Sequence, residues 1–258
     1  MKVSALRKNR RGGFTLIELM VVIAILASLA AIGSGPILEH LNDGDRQQAS
    51  SNLKSVFTIL QQFRTDHNNF PCDTTAEEIM ENNPELGFGP VTGSTSNDYL
   101  RQVFYDSQKN KSEKPFYAKL NVAGRSVQEG DEKRAKGQAL QHKENAMGYV
   151  MRKNPDDPNM KLGVINTTSP LAICGVYPSA TPYSGNELAF DMSSFRGHAF
   201  LLSVDGSVRD LEDNLKKDEA NEEKGRYVDK KGNPGTVFPE DDNGNDTSDR
   251  YIVLSPDM

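Results

Sequence analysis

The sequence has no tryptophan, only two cysteines and, after residue 32, no long apolar run. A mean hydropathy of −0.60 excludes a protein that crosses a membrane many times. Two cysteines allow at most one disulfide, between Cys72 and Cys174, if the chain lies outside the cytoplasm; two buried free thiols are the open alternative. Since the chain has no G-x-S-x-G, H-E-x-x-H or P-loop motif, the sequence predicts that it is not an enzyme.

Charge is distributed unevenly along the chain. The first thirteen residues contain five basic side chains and no acid, out of 30 basic and 36 acidic residues in total. The remainder therefore has 25 bases (30 − 5) against 36 acids, a balance of −11. Because binding to a phosphate backbone requires clustered lysine and arginine, this acidic body predicts no nucleic-acid partner. It is compatible with a bound metal cation.

An apolar segment follows the basic leader. Residues 14–32 contain Glu18 as their only charged residue. At roughly 1.5 Å per residue, a helix of this length matches a hydrocarbon core of ~30 Å, and the basic leader favours a cytoplasmic N-terminus. A cleaved signal peptide has a similar plan, but it gives no reason for Glu18, since an acid inside a membrane helix costs about 2.5–3.5 kcal/mol. We therefore predict a retained, single-pass membrane helix with the rest of the chain outside the cytoplasm.

The stretch Gly13-Phe14-Thr15-Leu16-Ile17-Glu18 resembles the processing motif of type IV prepilins and type II secretion pseudopilins. The resemblance implies that prepilin peptidase cleaves after Gly13 and methylates the new N-terminal residue, Phe14. It also implies that Glu18 pairs with the Phe14 amine of a neighbouring subunit, and a buried carboxylate does need a positive partner. The implied partners are further copies of such subunits in a helical homo- or hetero-filament, an inner-membrane assembly platform, and membrane lipid before assembly.

The predicted fold is α+β, with a long N-terminal helix packed on an antiparallel β-sheet head that carries loop insertions. The predicted segments are a removed leader at 1–13, a transmembrane and filament-core helix at 14–36, an amphipathic helix half at 37–66, and a globular head at 67–258. Pro36 predicts a bend in the helix. Apolar residues at spacings of three and four in the second half predict that this half packs on the head. Asp205-Gly206 predicts a two-residue type I′ hairpin turn.

An acidic loop precedes the last predicted strand. Residues 240–249 contain five acids and two asparagines, together with Gly244. Calcium takes about six to eight oxygen ligands in flexible geometry, and the major pseudopilins that the chain resembles have a calcium site near the C-terminus. A calcium site and a solvated acidic loop are the two interpretations left open. The candidate calcium ligands are Asp241, Asp242, Asn243, Asn245, Asp246 and Asp249.

The sequence predicts a structural subunit of a pilus-like filament, in the first place a type II secretion pseudopilin that serves protein transport. One alternative is a type IV pilin for adhesion or motility. Another is a membrane-anchored extracytoplasmic module that binds calcium or a glycan. The head is expected in the periplasm, or at the cell surface if the filament is a true pilus.

Overall fold

The structure, a computed structural model, describes residues 14–84, 92–105, 112–122, 124–130 and 137–258, without the side chains of residues 30–41. Contacts between residues divide the chain into two units, Met1–Asn42 and a head unit, Asp43–Met258. The head unit thus begins within the first helix, and it includes most of the segment predicted as the amphipathic helix half.

Helix α1 (Leu16–His67) is 52 residues long. It continues through Pro36, so the helix predicted over residues 14–66 is confirmed. The bend predicted at Pro36 falls among the residues whose side chains are not described, and it stays a prediction. The helix stops where Asn68 adopts a left-handed backbone conformation with φ of 57°, and Pro71 follows shortly after.

The second half of α1 packs into the head through one apolar face. Because its apolar residues recur at spacings of three and four, they lie on one side of the helix. Polar contacts fix the same side: Asn52 Nδ2 donates to the Tyr117 carbonyl at 2.7 Å, and Gln61 Nε2 donates to the Val204 carbonyl at 3.4 Å. The predicted packing of this half on the head is therefore confirmed. The fully buried residues of this face are Ala49, Leu53, Val56, Leu60 and Phe63.

The head is built around a seven-stranded sheet in which all neighbouring strands are antiparallel. The strand order is β6-β12-β3-β5-β8-β9, and β4 pairs with Arg152 and Lys153 at the end of β3. The central strand β5 is buried along its whole length, which is why it reads as a continuous apolar run in the sequence. The strands are β3 (Met147–Lys153), β4 (Lys161–Leu162), β5 (Pro170–Cys174), β6 (Tyr183–Ser184), β8 (Phe200–Ser203), β9 (Val208–Asp210) and β12 (Tyr251–Leu254).

Smaller elements surround this sheet. A short hairpin joins β1 and β2, and a three-stranded sheet has the order β10-β11-β7. This combination of helix and antiparallel sheets confirms the predicted α+β class. The remaining elements are α2 (Asp73–Asn82), α3 (Ser96–Leu100), β1 (Asn121–Val122), β2 (Arg125–Ser126), β7 (Phe190–Asp191), β10 (Leu215–Lys217) and β11 (Lys224–Tyr227).

The hairpin between β8 and β9 differs from its predicted turn type. A two-residue type I′ turn needs positive φ at both Asp205 and Gly206. Of these two residues, Gly206 has positive φ, at 86°, and Asp205 does not. The Ser203 carbonyl accepts the Gly206 N–H at 2.9 Å and closes the loop. The type I′ prediction is therefore wrong. The Asp205 carboxylate instead accepts the N–H of Ser207 at 2.8 Å, which stabilises a longer loop with one left-handed residue.

Candidate functional sites

The first part of α1 exposes apolar side chains on every side. Phe14 is 86% exposed, and Gly13, the predicted cleavage position, lies outside the described residues. A helix that is apolar all round needs a membrane or a protein partner to cover it, because such a surface is unfavourable in water. Among the described residues, the only other large exposed apolar side chains are Met80 and Ile165. The exposed apolar residues of α1 and its start are Phe14, Leu16, Ile17, Leu19, Met20, Val21, Val22, Ile23, Ile25, Leu26 and Leu29.

Glu18 lies in the first turn of α1 and caps its N-terminal end. Its Oε2 atom accepts the backbone N–H of Thr15 at 2.8 Å and the Thr15 hydroxyl at 2.8 Å. Such a carboxylate satisfies a backbone donor that has no partner within the helix and interacts favourably with the helix dipole. The only acid of the apolar segment is therefore held next to Thr15, the residue that follows Phe14.

The part of the chain with described side chains contains no helix with a stretch both long and apolar enough to span a bilayer. The predicted transmembrane segment at 14–36 extends into residues 30–41, whose side chains are not described. The membrane prediction for that stretch therefore lies partly outside the described residues.

In the acidic loop, two of the predicted ligands form turns. Asp241 Oδ1 accepts the backbone N–H groups of Asn243 at 2.9 Å and Asn245 at 2.8 Å. Its Oδ2 accepts the Asn245 side-chain amide at 3.0 Å. The Asn245 backbone N–H, as the largest cause, holds the pKa of the Asp241 carboxyl below its ordinary value. Asp246 likewise accepts both the N–H of Ser248 at 2.8 Å and its hydroxyl at 2.9 Å.

A second turn of the same design precedes the acidic loop. Asp229 Oδ1 accepts the backbone N–H groups of Lys231 and Asn233, each at 2.8 Å, and Asn233 Nδ2 donates to Asp229 Oδ2 at 3.2 Å. Both turns share the pattern Asp-x-x-Gly-Asn, with the glycine at positive φ. The turn at Asp229 has two lysines at the positions that Asp242 and Asn243 occupy in the turn at Asp241. The shared geometry therefore does not depend on an acidic cluster.

The calcium prediction is not decided by these turns. Asp242 and Asp249, two of the predicted ligands, are exposed, as is Asn243. Among the described residues, one group of three metal-binding side chains has its possible ligand atoms close enough together to share an ion, and that group lies elsewhere in the head. A calcium site at residues 241–249 thus stays a prediction.

The two cysteines are buried and free, so the structure contains no Cys72–Cys174 bridge. Cys72 precedes α2, with its sulfur 3.0 Å from the Thr74 hydroxyl. Cys174 ends β5 and pairs with Met147 of β3 on one side and Phe200 of β8 on the other. Since both cysteines are buried and unbridged, the structure corresponds to the free-thiol alternative. Burial raises the pKa of the Cys174 thiol, which lowers its reactivity.

The sequence reasoning missed a cluster around His198, a residue to which it assigned no role. The His198 Nδ1 atom is 2.8 Å from Asp210 Oδ2, and its Nε2 atom is 3.1 Å from Glu212 Oε1. Arg46 of α1 approaches the same ring, with Nη1 2.6 Å from Nε2. Asp210 and Glu212 are two residues apart at the end of a strand, where residues with this spacing point to the same face of the sheet. This spacing was the one local signal in the sequence that both carboxylates could contact the same side chain.

Comparison with known proteins finds a family match in the N-terminal part and several similar proteins. Residues 8–34 match the family described as prokaryotic N-terminal methylation motif. The type II secretion system core protein G of Aeromonas hydrophila is 32% identical over 79 residues, which are 31% of this chain and 55% of that protein. The core protein G of Pectobacterium carotovorum subsp. carotovorum is 30% identical over 97 residues, 38% of this chain and 62% of that protein. The chain thus covers less than two thirds of either relative.

A longer match involves a pilin. The type IV major pilin protein PilA of Myxococcus xanthus is 26% identical over 193 residues, which are 74% of this chain and 81% of that protein. No solved structure matches the chain significantly. The matched methylation motif, the core protein G relatives and the pilin together confirm the predicted resemblance of this chain to the type IV prepilin and type II secretion pseudopilin family.

Proposed function

We propose that the chain is a structural subunit of a pilus-like filament and that prepilin peptidase processes it by cleavage after Gly13. The observation that carries the proposal is the apolar surface around residues 14–29, which lies within the matched methylation motif and contains one acid, Glu18. This surface needs an apolar environment. Membrane lipid supplies it before assembly, and the helices of neighbouring subunits supply it within the filament.

The proposed role of Glu18 follows from its surroundings. Inside a helix bundle its carboxylate loses water, and such a group requires a cation and hydrogen bonds to remain charged. Cleavage after Gly13 creates a positive α-amine on Phe14. Within one chain, the Thr15 donors already hold the carboxylate at the end of the helix where this amine forms. An incoming subunit could therefore be joined to its neighbour by an amine–carboxylate pair.

Among filament types, we favour a type II secretion pseudopilin with a role in protein transport. The core protein G relatives support this choice. The type IV pilin is the second candidate, and the match to a major pilin over 74% of the chain favours it specifically. In either case we place the N-terminus in the cytoplasm, the helix in the inner membrane before assembly, and the head in the periplasm.

The decisive variant is Glu18→Ala, produced together with the assembly platform and prepilin peptidase. We expect the variant to be processed and its head to fold, whereas filaments isolated by shearing and seen by electron microscopy are lost. Glu77→Ala is the matched control, because Glu77 is an exposed acid on α2 in the head. Filaments at the wild-type level from Glu18→Ala would refute the proposed role of Glu18 in assembly. A wild-type protein that forms no filaments would refute the filament proposal and favour a membrane-anchored binding module.

A further inference from the structure

His198 is a buried imidazole placed between two exposed carboxylates. Its side chain is only 4% exposed, whereas those of Asp210 and Glu212 are 43% and 63% exposed. One donor atom from each of these three residues lies within 4.8 Å of the others. Within the described part of the chain, this group has the donor spacing that a metal ion requires.

The backbone immediately before His198 has an unusual conformation. Phe195, Arg196 and Gly197 adopt positive φ in succession, at 48°, 58° and 82°. Residues with a Cβ atom rarely take this conformation, and backbone strain of this kind clusters at active sites, ligand clamps and switch regions. On the other side, the Leu211 N–H donates to the Ala199 carbonyl at 2.9 Å. This bond fixes the chain between Asp210 and Glu212 against the start of β8.

Acidic side chains outnumber basic ones among the described charged groups that contact His198 or its neighbour Arg46. Arg46 lies beside the ring, and it also forms an ion pair with Asp43. Among the described residues in contact with His198 or Arg46, Arg46 contributes one positive charge and Asp43, Asp210 and Glu212 contribute three negative charges, or +1 − 3 = −2 before the imidazole is counted. A divalent cation would balance this local charge, while the guanidinium of Arg46 balances only part of it.

We propose that His198, Asp210 and Glu212 bind a divalent transition-metal ion of the zinc type and that Arg46 competes with the ion for this position. Imidazole nitrogen with carboxylate oxygens is a zinc donor set, whereas calcium and magnesium prefer oxygen alone. Zinc ligands lie about 2.0–2.2 Å from the metal, so the donor atoms must draw closer together. The two exposed carboxylate side chains can make that adjustment. The site is distinct from the predicted calcium loop and does not depend on the filament proposal.

Isothermal titration calorimetry, with zinc added to the full-length protein in detergent, tests this site. We expect one zinc ion per chain in the wild type, and binding weaker by about tenfold or more in His198→Asn and Glu212→Gln, since each removes a ligand. Glu212→Gln keeps the test valid if His198→Asn fails to fold, because Glu212 is exposed. His142→Gln is the matched control, because His142 Nδ1 lies 2.9 Å from one carboxylate, that of Asp257.

Removal of the competing guanidinium of Arg46 is expected to change zinc affinity in the opposite direction. Arg46→Gln removes a positive charge beside the ring, so zinc should bind this variant more tightly than the wild type. Zinc affinity that is equal in the wild type, His198→Asn and Glu212→Gln would overturn the proposal. It would also be overturned if the wild type bound no zinc or if Arg46→Gln weakened binding.

Discussion

The contact between α1 and the β8–β9 hairpin can be tested at Gly206. This glycine has φ of 86°, and a Cβ atom added to it would lie 2.7 Å from Cε1 and 2.9 Å from Cζ of the Phe57 ring. Phe57 lies on the part of α1 that belongs to the head unit. Replacing Gly206 by alanine therefore perturbs both the backbone conformation of the loop and the packing of the helix on the hairpin.

Two effects contribute to the expected loss of stability. An alanine in the left-handed conformation costs about 1–2 kcal/mol. The added methyl group must also push the Phe57 ring aside, and such overpacking costs about 1–3 kcal/mol. The free energy of unfolding should thus fall by about 2–5 kcal/mol in Gly206→Ala.

A matched glycine separates these two effects. Gly232 has φ of 84°, and a Cβ atom there would meet nothing within 4 Å, so Gly232→Ala measures the backbone cost alone. Urea unfolding followed by circular dichroism gives both free energies. We expect Gly206→Ala to lose about 1–3 kcal/mol more than Gly232→Ala, and Phe57→Leu to recover part of that difference in the double variant. Equal losses in the two glycine variants would refute the described packing of α1 on the hairpin.

Three further predictions concern the head. Leu53 is fully buried, so Leu53→Ala should lower the free energy of unfolding by about 2–5 kcal/mol, whereas exposed Ser51→Ala should change it by less than about 0.5 kcal/mol in the same urea assay. The folded pKa of Asp241 lies below its ordinary 3.8, so the stabilisation that its carboxylate gives the turn is complete above that pH and disappears as the pH falls through the lowered pKa. The amide NMR shift of Asn245 should follow this loss, and a shift that does not change in acid would contradict the prediction. The calcium hypothesis for residues 241–249 predicts that EGTA lowers the Tm in thermal melting, and an unchanged Tm would count against it.

The sequence was most informative where the structure is periodic. The spacing of apolar residues predicted α1 and its packing, because a buried helix face must recur at about 3.6 residues. The stop near Asn68 was also predictable, since asparagine tolerates the left-handed conformation. At the β8–β9 hairpin, the position of the turn was predicted correctly, but the predicted turn type was wrong. The Asp205 side chain bonds to Ser207 and so favours a different loop, a local competition that the dipeptide does not reveal.

The His198 cluster could not be predicted because its members converge from distant parts of the chain. Arg46 and His198 are 152 residues apart. Only the folded sheet brings the end of β9 against the turn before β8, and only the packing of α1 adds the guanidinium. The Asp-x-x-Gly-Asn turns at Asp229 and Asp241 are different, since the repeated pattern was visible in the sequence and its meaning is local.

The central claim, that the chain is a processed filament subunit, is tested most directly by mass spectrometry of the mature N-terminus. The protein is purified from membranes of cells that contain prepilin peptidase, and its N-terminal peptide is sequenced. We expect a chain that begins at Phe14 and carries one methyl group on its α-amine. A mature chain that begins beyond Ala27, as a cleaved signal peptide would produce, or that retains the leader would contradict the claim.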